Sequence, residues 1–425
     1  MLKAFLEKLR LVFGDRILRN RILITIGLLI LARLLAVVPI PGINQAALAS
    51  LFSGNQFLSL LNIFSGGGLS SLSIIMLGVG PYITASIIMQ LLTLMVPKLK
   101  ELYQEEGDTG RRKFAQYSRL LSVPLALIQG YAFISLFQKQ GVLPALNFGT
   151  LALDMILIAA GSMLLVWLGE LISEFGAGNG VSLIIFAGIV TTIPSALGQL
   201  IFAFDPSQLP TYIALLVLTV ALIFGVVVIS EAERPIPVTY SRQMRGGGGT
   251  GGSVQSYLPL RLNQAGVIPI IFALSILLFP QMILQFLAES TNVSVASVTS
   301  FLLGLLNNAW FYDISYFFLV FLFTYFYTAV TVDPEQMSEN LQKSGAFIPG
   351  VRPGEPTAEY LSKVITRLTL VGALFLSFIA ILPLILRTVT GLQTLAIGGT
   401  AMLIVVTVVI DFIKKIDAQI SVREY

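Results

Sequence analysis

The chain has no cysteine and no histidine among its 425 residues. Disulfide staples, thiolate chemistry and Cys/His metal sites are thereby excluded. Ser-His-Asp and Cys-His nucleophile arrangements are excluded with them. Charge is also scarce: Asp, Glu, Lys and Arg together make up 11% of the chain, where a soluble domain carries roughly 25%. A water-soluble protein of this length could not cover its surface with so few charges. No Gly-Lys dipeptide occurs anywhere, so Gly246-Gly-Gly-Gly-Thr-Gly-Gly-Ser253 is not a Walker-type phosphate cradle. That run reads as a flexible linker.

What is abundant is apolar. Hydrophobic residues form 56% of the chain and the mean hydropathy is +0.87. Runs long enough to cross a bilayer recur at 22–38, 74–96, 120–137, 151–168 and 181–204. The second half adds 212–229, 265–287, 310–330, 368–386 and 395–410. The expected fold is an all-α membrane protein with ten transmembrane helices in two five-helix halves, 22–204 and 205–425. An odd number of spans per half makes the second half enter from the opposite side, as inverted repeats do. The sequence carries no residue-by-residue repeat, so this symmetry rests on span count alone.

Residues 1–21 precede the first apolar run and carry Lys3, Lys8, Arg10, Arg16, Arg19 and Arg21, an order expected of a retained segment and not of a cleavable signal. Leu2, Phe5, Leu6, Leu9 and Phe13 share one helical face, the pattern of a helix lying on the cytoplasmic membrane surface. With a cytoplasmic N-terminus, alternation places every basic residue inside except Arg33, Lys139 and Arg387. This is the positive-inside distribution, and it puts both termini in the cytoplasm. Two cytoplasmic loops, 230–264 and 331–367, exceed what a connection needs; both are basic and read as docking surfaces.

Ion-coupled transport needs ionisable groups within the spans. Arg33 alone lies well inside one, while Asp154, Asp313 and Arg387 sit near ends; each of the four reads as an interfacial or snorkelling residue and not as a relay member. No repeated filter sequence appears. Glu170 and Glu174 lie a helical turn apart at a cytoplasmic helix end, where solvated carboxylates are ordinary, so the chain is not read as an enzyme and no cofactor or metal is expected. What remains is a conductor lined by neutral and apolar groups. The stretch 62–72 is too short and too glycine-broken to span. It is either a segment folded into a membrane cavity or an outer loop leading into a helix.

The motifs carry a resemblance. Pro39-Ile-Pro-Gly42, Phe64-Ser-Gly-Gly67, Pro81-Tyr-Ile-Thr-Ala-Ser86, Glu105-Glu-Gly-Asp-Thr-Gly-Arg-Arg-Lys113, Gly178-Asn-Gly180, Asn263-Gln-Ala-Gly-Val-Ile-Pro269 and Lys343-Ser-Gly-Ala-Phe-Ile-Pro-Gly-Val-Arg-Pro-Gly-Glu355 stand in this order along nearly the whole chain. In this order and spacing the chain resembles the SecY family, channel subunits of the bacterial Sec protein translocase. The resemblance implies a protein-conducting channel of the bacterial inner (plasma) membrane that translocates unfolded secretory polypeptides and releases apolar segments into lipid. It implies a waist ring of Val79, Ile83, Ile185, Ile271 and Ile404. It implies a plug at 62–71, comprising Asn62, Ile63, Phe64, Ser65, Gly66, Gly67, Gly68, Leu69 and Ser70 with the residue that follows. Ser86, Gln90 and Asn263 become lateral-gate contacts, and Arg352, with Arg242 and Arg245, cytosolic docking residues. Implied partners are SecE-like and SecG-like small membrane subunits, the SecA ATPase, the ribosome, signal-sequence-bearing polypeptides and membrane lipid. One departure stands out: many relatives carry a basic pair where this chain has glycines at 246–253. The competing reading is a secondary transporter of a small neutral or lipid-like substrate.

Overall fold

Each of the ten apolar stretches contains a helix in the computed structural model, which describes residues 14–40, 47–48, 62, 65–104, 106–144, 146–202, 209–240, 254–287, 293–390 and 398–421. Helix α1 (Arg16–Ala36) starts six residues before the expected span, because Asp15 caps it by accepting from the Ile17 amide at 2.8 Å. The helix expected over 1–21 therefore lies outside the described residues up to 13, while Arg16, Arg19 and Arg21 belong to α1. Helix α2 (Gly80–Met95) meets α3 (Pro97–Gln104) at a bend of 114°. Val96 precedes Pro97, whose ring disfavours helical backbone at that position, and it adopts φ −117° and ψ 104°. The first half continues with α4 (Gly107–Lys139), α5 (Phe148–Phe175) and α6 (Gly180–Phe202). The second contains α7 (Leu209–Glu231), α8 (Ile268–Leu287), α9 (Val293–Asn307), α10 (Ala309–Thr331), α11 (Pro334–Lys343), α12 (Glu355–Thr390) and α13 (Gly398–Ser421).

Gly107–Lys139, Phe148–Phe175, Tyr212–Glu231, Ala309–Lys343 and Glu355–Leu382 are each long and apolar enough to cross a membrane unaided. Their outer faces are greasy. On α7, Ile213, Leu216, Val217, Val220, Phe224 and Val228 form an exposed stripe, a surface that lipid solvates and water does not.

The helices pack in two groups. In one, α1 lies on α5 and α6, α2 on α4, α4 on α5, and α5 on α6. In the other, α8 lies on α9 and α10, α10 on α12, and α12 and α7 on α13. The groups meet along two seams, α2 and α4 against α8, and α6 against α13.

Sequence reading missed a small sheet, ordered β2-β1-β3, in the two long loops. Strands β1 (Glu233–Tyr240) and β2 (Val254–Arg261) are antiparallel neighbours, and β3 (Ala346–Phe347) pairs with Thr239 and Tyr240 of β1. Pro235 and Pro237 are two residues apart, so their missing amides fall on one edge of β1, and β3 covers that edge only beyond them. Ile236, Val238, Leu260, Ala346, Ile348 and Leu361 close a small core beneath the sheet. The loop 331–367 is thus tied to the loop 230–264 and to the start of α12.

Candidate functional site

The five residues expected at the waist come from four chain segments, and all fall in one apolar cluster. Val79, Ile185 and Ile404 are buried members, and Ile83 and Ile271 are partly buried residues packed against it. Val79 stands just before α2, where Gly78 adopts φ +58°, a left-handed conformation that glycine enters without a Cβ clash. Helix α5 fixes this turn from behind. Ser162 Oγ donates to the Gly78 carbonyl at 2.8 Å in a buried hydrogen bond. Gly161, one residue earlier, lets the Ile74 carbonyl lie where a side chain would stand. Ile83 follows one turn into α2, Ile185 rides on α6, Ile271 on the first turn of α8, and Ile404 on α13. The cluster thus straddles both seams between the helix groups. The five expected waist residues themselves are branched-aliphatic and offer no ligand to replace an ion's hydration shell.

The glycine-broken segment folds on itself beside this cluster. Asn62 accepts from the Ser70 amide through Oδ1 at 2.8 Å, and its carbonyl accepts from the Gly67 amide at 2.7 Å. Ser65 Oγ accepts from the Leu69 amide at 3.1 Å, and Ser73 Oγ donates to the Gly68 carbonyl at 3.1 Å. Leu69 is buried with Leu72, Met76 and Leu77 against Phe133 and Ile134 of α4. Ser65 and Gly66 share a crevice of about 10 Å³ with Val79, Leu165 and Ile184, at the lower limit for holding one water. Of the expected plug residues, Ile63 and Phe64 lie outside the described residues.

Gln90 lies on α2 and Asn263 ahead of α8, the two helices that meet at the first seam. Asn263 Nδ2 donates to the Gly266 carbonyl at 3.2 Å. Asn263 Oδ1 and Gln90 Oε1 are both buried with no partner among the described residues, so the two amides do not bond to each other. Ser86 is partly buried on α2. A cavity of about 220 Å³ lies between the starts of α6 and α8 and the α13 helix, lined by Asn179, Asn263, Gln264, Tyr327, Thr407 and Asp411 among others.

Arg352 is exposed at the tip following β3, and its carbonyl accepts from Thr357 Oγ1 at 2.8 Å. Arg242 and Arg245 lie outside the described residues, as do 246–253. Glu170 pairs with Arg119 at 3.0 Å, while Glu174 is exposed. Arg33, read from sequence as interfacial, instead turns inward: its Nη1 donates to the Gly66 carbonyl.

A family model described as SecY matches residues 73–413. The protein translocase subunit SecY of Synechocystis sp. is 42% identical over 419 residues, covering 96% of this chain and 93% of that protein. A solved structure described as that of a protein conducting channel superposes with a TM-score of 0.66 at 21% identity, covering 96% of this chain and 93% of that one. Another, in which the plug domain of the SecY protein is said to stabilise the closed state of the translocation channel and maintain a membrane seal, superposes with a TM-score of 0.64 at 22% identity, covering 96% and 93%.

Proposed function

The chain belongs to the SecY family of protein translocase subunits, and from that premise we propose that polypeptides cross it through the aliphatic neck of Val79, Ile83, Ile185, Ile271 and Ile404. It is a membrane channel for protein, not a secondary transporter. The single observation that carries the neck is the convergence of five branched side chains from four segments on one apolar cluster. A narrow aliphatic gasket dewets and resists ions. It also makes no directional hydrogen bonds, so it does not discriminate among the side chains sliding through it.

The rest of the reading follows the chemistry of the flanking parts. Segment 62–71 closes the neck at rest; its support is the crevice it shares with Val79. The α2–α8 seam is the lateral gate, and the amide oxygens of Gln90 and Asn263, unpaired among the described residues, favour it, because a buried amide without a partner weakens a closed seam. An apolar segment leaving through it gains about 25 cal/mol per Å² buried in lipid. The cavity beneath α8 and α13 is the entrance from the cytoplasm. Arg352, held beside the three-stranded sheet, meets the driving partner, either a SecA-like ATPase or the ribosome. SecE-like and SecG-like subunits cover part of the lipid-facing helices. The protein sits in a bacterial inner membrane with both termini cytoplasmic, and it does no chemistry of its own.

The test is reconstitution. In vesicles, a secretory polypeptide enters only when an ATPase motor and nucleotide are added, or when a ribosome drives it. Saturable uptake of a small solute without a motor, and no polypeptide import with one, would sink the proposal.

A further inference from the structure

Arg33 lies in the last turn of α1, where a cation suits the helix dipole. A cation held there by the dipole alone would reach outward to water, whereas this one is half-buried and donates to the carbonyl of Gly66. Its Nε is buried with no partner among the described residues, a state that costs free energy and persists only where something else holds the guanidinium in place.

Gly66 is the centre of a three-way junction. Its backbone sits at φ +69°, and a Cβ added there would meet Arg33 Nη2 at 2.8 Å and the Gly188 Cα of α6 at 3.1 Å. From the other side, a Cβ on Gly188 would stand 2.5 Å from the Gly66 Cα. Two glycines thus let the segment press against α6, and one arginine from α1 grips it by its carbonyl. Ser71 Oγ adds a second tie to the same helix end, donating to the Ala36 carbonyl at 2.9 Å.

From this geometry we infer that Arg33 is a positioning residue that latches segment 62–71 in its resting seat beside Val79. The inference rests on the plug reading above and adds to it the group that sets how firmly the plug is held. When the segment leaves, Arg33 loses the only carbonyl it is seen to grip among the described residues, so opening carries the loss of a charge-assisted hydrogen bond.

The experiment uses the full chain with its co-purifying subunits, reconstituted in vesicles loaded with a chloride-sensitive dye and given no substrate. Deletion of 62–71 raises idle chloride flux; if it does not, the plug reading fails and the latch with it. Given that rise, Arg33→Gln in the intact chain shifts the displaced fraction of the segment by about ten- to hundredfold, the worth of a hydrogen bond to a charged donor, and flux rises accordingly. In the deletion background Arg33→Gln adds nothing. A rise in both backgrounds alike, or none in the intact chain while the deletion leaks, overturns the latch. Gly188→Ala attacks the same junction from α6 and is expected to show the same dependence on 62–71; it decides the matter if Arg33→Gln fails to fold.

Discussion

Substituting Gly161 by alanine drives a methyl group into the backbone on which the neck is built. A Cβ there would stand 2.1 Å from the Ile74 carbonyl oxygen and 2.8 Å from its carbon, with Ile75 Cγ2 at 3.3 Å. Neither backbone atom is the end of a flexible side chain, so α5 or the segment ahead of α2 must retreat by about 1 Å or more to reach ordinary contact distance. Overpacking of this kind costs about 1–3 kcal/mol. The same retreat pulls Ser162 from the Gly78 carbonyl, a membrane hydrogen bond worth about 0.6 kcal/mol. Helix propensity returns up to about 1 kcal/mol for glycine to alanine. With the full propensity return, the net is a destabilisation of about 0.6–2.6 kcal/mol. Gly27→Ala on α1 is the matched control, since a Cβ there meets nothing within 4 Å and only the propensity gain applies. Thermal unfolding in detergent, followed by intrinsic fluorescence, should place Gly161→Ala below the parent and Gly27→Ala at or above it. Idle ion flux should rise in the first alone, because Val79 moves with the displaced turn. A Gly161→Ala protein that melts with or above Gly27→Ala would refute the close-approach argument.

Ile185→Asn places an amide in the aliphatic cluster and should wet it, raising idle ion conductance in planar bilayers; an unchanged conductance would remove Ile185 from the neck. Arg352→Glu, at an exposed tip, should leave the unfolding free energy within about 0.5 kcal/mol of the parent. It should nonetheless depress motor- or ribosome-driven import, with a deficit that narrows as salt rises and screens the charge. Ile236→Ala empties the core beneath the small sheet at a cost of about 2–5 kcal/mol. Because β1 holds both β2 and β3, protease cleavage within 230–264 and 331–367 should accelerate together; acceleration in only one would show the sheet is not a unit.

The helices were legible because apolar runs of sufficient length announce themselves whatever their neighbours. Their ends were less so: Asp15 carries α1 six residues past the hydropathy boundary, through Arg16, Arg19 and Arg21. The sheet was hidden by Pro235, Pro237 and Pro259, residues that argue against a strand unless the partner covering each edge is known. That partner is over a hundred residues away, at Ala346 and Phe347. The neck residues were named through motif resemblance, since no periodicity separates Ile83 or Ile404 from ordinary packing; their common cluster is a tertiary fact. Arg33 did carry a signal, being the one charge well inside a span. Its partner, a glycine carbonyl on another segment, has no mark in the sequence.

Photocrosslinking reads the central claim most directly. A secretory polypeptide halted midway through import should react with probes placed singly at Ile83, Ile185, Ile271 and Ile404. Probes on the outer stripe of α7, at Leu216 or Val220, should not touch it. Silence at the four neck positions, or equal labelling from α7, would show that polypeptides do not pass through this cluster.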